Sequence, residues 1–234
     1  MNMRLNKFIS ETGICSRRQA DAWIAAGRVT LNGAVATLGT QVGEGDEVRV
    51  DGEPVGKPTQ HVYIAFNKPV GITCTTETHV PGNIVDFIGH RERIFPIGRL
   101  DKESEGLILL TNDGDIVNQV LRSENEHEKE YVVTVDRHVT ELFLRGMASG
   151  VRMLGTVTKP CKVYRAGGYM FRIVLTQGLN RQIRRMCSFF GYQVVRLQRI
   201  RIMDLTLEGL KTGQWRELTS AEIRGLLSKS GPKS

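Results

Sequence analysis

Apolar positions in the first fifty residues change their spacing from helical to alternating. Leu5, Phe8 and Ile9 fall on one helix face, and Gly13 supplies a left-handed stop after them. Ser16 precedes Gln19 at capping-box spacing, which predicts a second helix from Arg17 to Ala26 closed by Gly27. Beyond it Val29 and Leu31 alternate into Asn32-Gly33, two residues that tolerate positive φ, and predict a hairpin returning through Val35. Gly43-Glu44-Gly45-Asp46 predicts another turn ahead of the alternating Val48-Arg49-Val50.

Residues 51–60 then hold two glycines and two prolines with little apolar content, which marks a linker. The expected division is a small module over 1–56 and a larger domain over 61–230. In the larger part, Val62 to Phe66, Gly106 to Thr111, Tyr131 to Val135 and Tyr169 to Leu175 are short β-rich runs, many bounded by Gly, Asn or Asp. Helical segments fall between them. Asp115 is expected to cap one carrying Ile116, Val117, Val120 and Leu121, and Thr140 one carrying Leu142, Phe143 and Leu144. The mixed order predicts an α+β fold rather than a regular βαβ winding. No internal repeat is visible, and residues 231–234 are expected to fray.

Charge adds a partner class. The 234 residues carry 32 Lys plus Arg against 25 Asp plus Glu, a formal net charge of +7, which favours polyanions such as nucleic acid. Cys15, Cys74, Cys161 and Cys187 are far apart and form no Cys-x-x-Cys pair, so neither a zinc site nor a redox motif is expected and a reducing compartment fits. The N-terminal stretch has no apolar signal core, and no segment approaches the roughly 18 apolar residues of a membrane helix. The expectation is a cytoplasmic, monomeric protein without membrane contact.

Basic residues of the first module gather around its helices: Arg4, Lys7, Arg17, Arg18 and Arg28. Arg17 and Arg18 open the second helix, where free N–H groups and the macrodipole already favour a phosphate. A solvated helix face would read the same way, and family resemblance shifts the balance. Arg4-Leu5-Asn6-Lys7-Phe8-Ile9-Ser10, Ser16-Arg17-Arg18-Gln19-Ala20-Asp21, Gly27-Arg28-Val29-Thr30-Leu31-Asn32-Gly33 and Gly45-Asp46-Glu47-Val48 together resemble the S4 (αL-type) RNA-binding module over about its full length.

The strongest candidate for chemistry is Gly98-Arg99-Leu100-Asp101-Lys102-Glu103-Ser104-Glu105-Gly106-Leu107. It sets a carboxylate beside cations, just before a buried strand and between two glycines that permit close backbone approach. An isolated Asp in such a loop is most often a turn former or cap. The whole decapeptide, however, resembles the catalytic-aspartate motif of the pseudouridine synthases, in the branch related to the small-subunit enzyme A. Phe66-Asn67-Lys68-Pro69-Val70-Gly71, Lys129-Glu130-Tyr131-Val132-Val133 and Gly178-Leu179-Asn180-Arg181-Gln182-Ile183-Arg184-Arg185-Met186 resemble that branch's further motifs, in the expected order. Phe95-Pro96-Ile97, His127 to Tyr131 and Arg199 to Met203 resemble the members that act on large-subunit RNA.

The resemblance implies a catalytic domain on a mixed, mainly antiparallel β-sheet with flanking helices, and isomerisation of a uridine in large-subunit (23S) ribosomal RNA or its precursor, with a tRNA as an optional second substrate. A uracil in folded RNA is stacked and must be turned out before its glycosidic bond can break. By resemblance Asp101 is the attacking carboxylate, at C1′ of the ribose or at C6 of the base. Tyr131 stacks on the flipped uracil and takes part in removing the C5 proton, and Arg99 fills the vacated position. A carboxylate beneath a nucleobase needs a compensating cation to stay ionised. Arg184 is assigned that place, with Arg181 and Arg185 as neighbouring alternatives that otherwise contact phosphate. Lys68, Lys129 and Asn180 join the expected RNA-contacting set.

No cofactor, nucleotide or metal is expected, for the chain has no phosphate loop, no dinucleotide glycine fingerprint and no His-Glu-x-x-His. His127 is expected to be a surface or RNA-facing group, and Asp113 and Asp115 to serve turn and cap. The long basic tail of some branch members is missing, which lowers the expected auxiliary RNA affinity. Two rivals stand beside this reading. A non-catalytic S4-type ribosome-assembly factor would not need Asp101, Tyr131 and Arg184 together, and an S4-bearing aminoacyl-tRNA synthetase would carry His-Ile-Gly-His and Lys-Met-Ser-Lys-Ser signatures that are missing here.

Overall fold

A computed structural model describes residues 3–56, 59–77, 79–121 and 127–228. Expectations resting on residues 57–58, on residues 231–234 and on the Leu121 side chain fall outside the described part. The chain divides into two compact units, Met1–Val62 with Arg91–Arg93 and Tyr63–His90 with Ile94–Ser234. Among the described residues no helix is long and apolar enough to cross a membrane.

The first unit runs β1 (Met3–Arg4), α1 (Leu5–Glu11), α2 (Arg17–Ala25), β2 (Val29–Leu31), β3 (Ala34–Val35), β4 (Gln41–Val42), β5 (Val48–Val50) and β6 (Glu53–Pro54). The capping box forms as read. The Ser16 hydroxyl accepts from the Gln19 N–H, and the Gln19 side chain accepts from the Ser16 N–H. Asn32 and Gly33 both take positive φ, 50° and 82°, which closes the β2–β3 hairpin. Leu5 and Ile9 of α1, Ala20 and Ile24 of α2, and Val29 and Val48 of the four-stranded sheet β3-β2-β5-β6 bury one core.

The second unit continues with β7 (Tyr63–Lys68), α3 (Ile84–Ile88), β8 (Phe95–Ile97), β9 (Glu105–Thr111), α4 (Gly114–Leu121), β10 (Lys129–Val135), α5 (Glu141–Ser149), β11 (Arg152–Met153), β12 (Thr156–Val157), β13 (Lys162–Arg165), β14 (Met170–Leu175), α6 (Gln182–Phe189), β15 (Val194–Ile202), β16 (Leu205–Thr206), β17 (Trp215–Glu217) and α7 (Ser220–Ser228). A nine-stranded sheet orders them β13-β14-β10-β15-β9-β7-β17, with β16 on β15 and β8 on β9. Its described pairs are antiparallel except β15 on β9, so the sheet is mixed and mainly antiparallel.

That parallel pair joins two antiparallel halves, each with its own core. On one side α5 and α6 cover β10, β14 and β15 through Phe143, Met147, Phe171 and Met186, where the Phe143 and Tyr192 rings stack with centroids 4.0 Å apart. On the other, α4 and α7 cover β8 and β9 through Ile97, Leu109, Ile116 and Leu226. One cap differs from its expectation. Helix α4 begins at Gly114, with Asp115 inside its first turn, and it is the Asp113 carboxylate that accepts the Asp115 N–H at 2.9 Å and the Tyr63 hydroxyl at 2.7 Å. The side chain one residue before the helix reaches the free N–H groups of the first turn; one within the turn points away.

Candidate active site

The site lies where the two half-sheets meet. In register across β7, β9, β15 and β10 stand Lys68, Gly106, Arg199 and Tyr131. Gly106 has φ +106°, and a Cβ there would stand 2.2 Å from the Arg199 carbonyl oxygen and 2.7 Å from its nitrogen. Only glycine lets β9 and β15 approach this closely. The loop that delivers Asp101 runs directly into this crossing, and α6 leads into β15 from the other side.

A cleft of about 870 Å³ opens over the junction. Asp101, Arg99, Lys129, Tyr131, Asn180, Arg181 and Arg184 all line it, as does Arg199. The Asp101 carbonyl accepts the Ser104 N–H at 3.0 Å, which tightens the loop below the carboxylate. Its Oδ2 lies 3.6 Å from Arg181 Nη1 and 3.9 Å from Arg184 Nε. These separations are charge contacts rather than hydrogen bonds.

Arg184 is fixed by the loop it faces. Its Nη2 donates to the Glu103 carbonyl and the Ser104 hydroxyl, both at 3.2 Å, and its Nη1 to the Val194 carbonyl at 3.4 Å. Its Nε is buried with no hydrogen-bond partner and faces Asp101. Arg181, at left-handed φ 50° ahead of α6, turns the 178–181 stretch along the cleft and donates to Glu103 Oε2 at 3.0 Å. That bond holds the Glu103 carboxyl below its ordinary range and raises the Arg181 guanidinium. Arg185 bends back to Asn180, donating to its carbonyl at 3.1 Å and to its side chain at 3.2 Å.

Lys68 is fully buried and donates to the Pro69 carbonyl at 2.9 Å, which corrects its expected place as an RNA contact. Burial lowers its pKa, while the charges of Cys74, Asp101, Glu105 and Glu103 oppose that shift. His127 is buried too, contrary to the expected surface position, and its carbonyl accepts from Lys129 Nζ at 3.2 Å. Burial first and the Arg199 charge second push Lys129 down to about 8. In the first unit Arg4, Arg17 and Arg18 are exposed, the latter two opening α2, and Lys7 pairs with Glu11 at 3.5 Å.

Arg199 is a buried, charged cleft residue to which sequence reasoning gave no role. The available signal was a cation inside a β-rich run, Val194 to Ile202, where an outward charge was the ordinary expectation. Among the described residues no group of three His, Cys, Asp or Glu side chains is arranged to hold a metal ion.

A model of the RNA pseudouridylate synthase family matches residues 62–189, and a model of the S4 domain matches residues 3–48. The chain is 58% identical over 225 residues to the dual-specificity RNA pseudouridine synthase RluF of Escherichia coli K12, covering 95% of this chain and 77% of that protein. It is 36% identical over 232 residues to the ribosomal large subunit pseudouridine synthase B of Bacillus subtilis 168, covering 95% of each. A crystal structure of a pseudouridylate synthase superposes with a TM-score of 0.70 at 31% identity, over 96% of this chain and 99% of that one.

Proposed function

This chain belongs to the RNA pseudouridylate synthase family and carries an S4 domain, and from that premise we propose that Asp101 is its attacking carboxylate, on a uridine of large-subunit ribosomal RNA. The observation that carries the proposal is Asp101 itself, 31% exposed at its side chain, held in the cleft beside Arg181 and Arg184 and sharing that cleft with Tyr131. The large-subunit target is supported by the name of the Bacillus subtilis relative and by the segments at Phe95, His127 and Arg199. The dual-specificity name of the Escherichia coli relative supports a second substrate, which we take to be a tRNA. We further infer an RNA grip over 1–56, a linker at about 51–60, a catalytic domain over 61–230, and action as a cytoplasmic monomer.

Isomerisation breaks the N1–C1′ bond, forms a C5–C1′ bond, releases the C5 proton and returns a proton to N1. The proposed roles divide that work. The flipped uracil stacks on Tyr131, whose hydroxyl takes part in removing the C5 proton, and Arg99, exposed at the cleft rim, occupies the gap left in the RNA. Arg184 holds the Asp101 loop by two hydrogen bonds and the start of β15 by a third, and adds positive charge beside the carboxylate without neutralising it by a direct bond. Asn180 and Arg181, which line the cleft, and the exposed Arg185 meet the backbone phosphates.

RNA carrying tritium at uracil C5 tests this. Wild type is expected to release the label to water, and Asp101→Asn to release none while binding the RNA within about threefold of wild type. Full release by Asp101→Asn removes the nucleophile assignment, whereas an inactive wild type on all cellular RNA favours a non-catalytic assembly factor.

A further inference from the structure

Arg199 is 4% exposed, yet it has no carboxylate partner among the described residues. Its Nε donates to the Leu107 carbonyl at 2.6 Å, across the β15–β9 junction. Neither Nη makes a hydrogen bond, and Nη2 is shut away from water as well. A buried guanidinium with unused donors is costly, and native proteins rarely leave one so. The Arg199 charge acts on another cation, Lys129, which also lines the cleft. Beside Tyr131 the cleft therefore carries positive charge and unused donors.

Its place in the sheet says what enters. Arg199 on β15 stands directly opposite Tyr131 on β10, and directly opposed residues of an antiparallel pair project from the same face with Cβ atoms about 5 Å apart. Both line the cleft that holds Asp101. A base stacked on the Tyr131 ring turns its edge toward the guanidinium beside it. Uracil offers two acceptors on that edge, O2 and O4, and O4 takes on charge in either route open to Asp101. Addition to C6 forms an Asp101 O–C6 bond and drives the C5=C6 pair onto O4 as an enolate. Displacement at C1′ forms an Asp101 O–C1′ bond, and the N1–C1′ pair leaves with the base, spread over N1, O2 and O4.

We propose that Arg199 is a further catalytic residue, whose free Nη donors bind O4 of the flipped uracil and stabilise the negative charge that the base acquires in the transition state. The role rests on the pseudouridine reading given above. It supplies at the base what an oxyanion hole supplies in acyl transfer, a preformed donor in a water-poor site aimed where charge develops.

The test compares wild type with Arg199→Met on an RNA the wild type modifies, made with uridine, 4-thiouridine or 2-thiouridine at the target, with nucleosides separated after single turnover. Sulfur is a poor acceptor. Arg199→Met is expected to slow the uridine reaction about 100-fold or more, the usual loss for one such donor, with RNA affinity within about threefold. In wild type, 4-thiouridine should cost a comparable factor, and the two changes together no more than the larger alone. A purely structural Arg199 would not couple to one atom of the base. Rates within about threefold of wild type, multiplying losses, or coupling to 2-thiouridine instead each overturn the role. If Arg199→Met melts below the assay temperature, Arg199→Lys, which keeps the buried cation without the fork, is held to the same coupling criterion. A wild type that converts no uridine rejects the activity and this role together; an active wild type matched by the variant rejects the role alone.

Discussion

Gly106→Ala is the substitution with the clearest expected cost. The new methyl carbon would lie 2.2, 2.7 and 2.9 Å from the carbonyl oxygen, nitrogen and carbonyl carbon of Arg199. All three are backbone atoms of the strand paired to Gly106, so no side-chain rotation relieves the overlap. Overpacking of this kind costs about 1–3 kcal/mol, and forcing an L-residue to φ +106° adds about 1–3 kcal/mol more. A loss of about 4 kcal/mol is expected, or roughly 8–16 °C in the melting of the second unit at about 2–4 °C per kcal/mol. Turnover measured well below that melting point should fall as well, because β9 carries the Asp101 loop and β15 carries Arg199. Gly114→Ala is the control. Its methyl meets nothing within 4 Å and no left-handed φ is required, so it should change stability by no more than about 0.5 kcal/mol. Circular dichroism melts of the three proteins decide the matter. A Gly106→Ala melting point within about 3 °C of wild type would show that the sheet yields at this crossing and that the close approach is dispensable.

Two further outcomes are expected. Lys129 has a folded pKa of about 8 against an ordinary 10.5, so between those values the unfolded chain binds the extra proton and stability rises with pH. Lys129→Met should therefore be more stable than wild type at pH 7, by about 1–2 kcal/mol after allowance for solvent screening, with the advantage shrinking as pH rises from 8 to 10 in denaturant titrations; a difference that stays constant with pH refutes the burial cost. Replacing Arg17 and Arg18 by alanine removes two cations from the start of α2, and should weaken RNA binding and flatten log Kd against log salt by about 1.5–2. An unchanged salt slope means that this helix end meets no phosphate.

What could be read from the sequence was what local chemistry decides. The α2 capping box and the Asn32-Gly33 hairpin need only residues a few positions apart, and both formed at the expected places. Long-range pairing was harder to see. Strand β7 runs on to Lys68 rather than stopping at Phe66 because Lys68 pairs with Gly106, and nothing near Lys68 announces that partner. The same holds for its burial: a lysine before Pro-Val-Gly reads as exposed, yet the crossing of β7, β9 and β15 encloses it. Arg199 was illegible for the same reason, since its neighbours in space come from β9 and β10.

The late basic motif offered three arginines for the place beside Asp101, and geometry separates them by what else each must hold. Arg185 turns its Nε and Nη2 to Asn180 and, among the described residues, forms no ion pair with Asp101. Arg181 comes nearest to Oδ2, but its side chain is 40% exposed and its Nη1 bonds Glu103 at shorter range, so solvent and a second carboxylate share its charge. Arg184 is only 15% exposed, and the groups that bind its two Nη atoms are the Asp101 loop and the start of β15. Those bonds leave its Nε as the unused donor and aim it at Oδ2. An arginine bound to the loop it serves moves with that loop, so under the proposed function the charge and the carboxylate would keep their spacing on RNA binding. Arg181, free to turn between Glu103, Asp101 and a phosphate, is suited to exchange its partner when RNA arrives. On the proposed reading the two cations beside one carboxylate divide the work, the buried one fixing the position of Asp101 and the exposed one meeting the substrate.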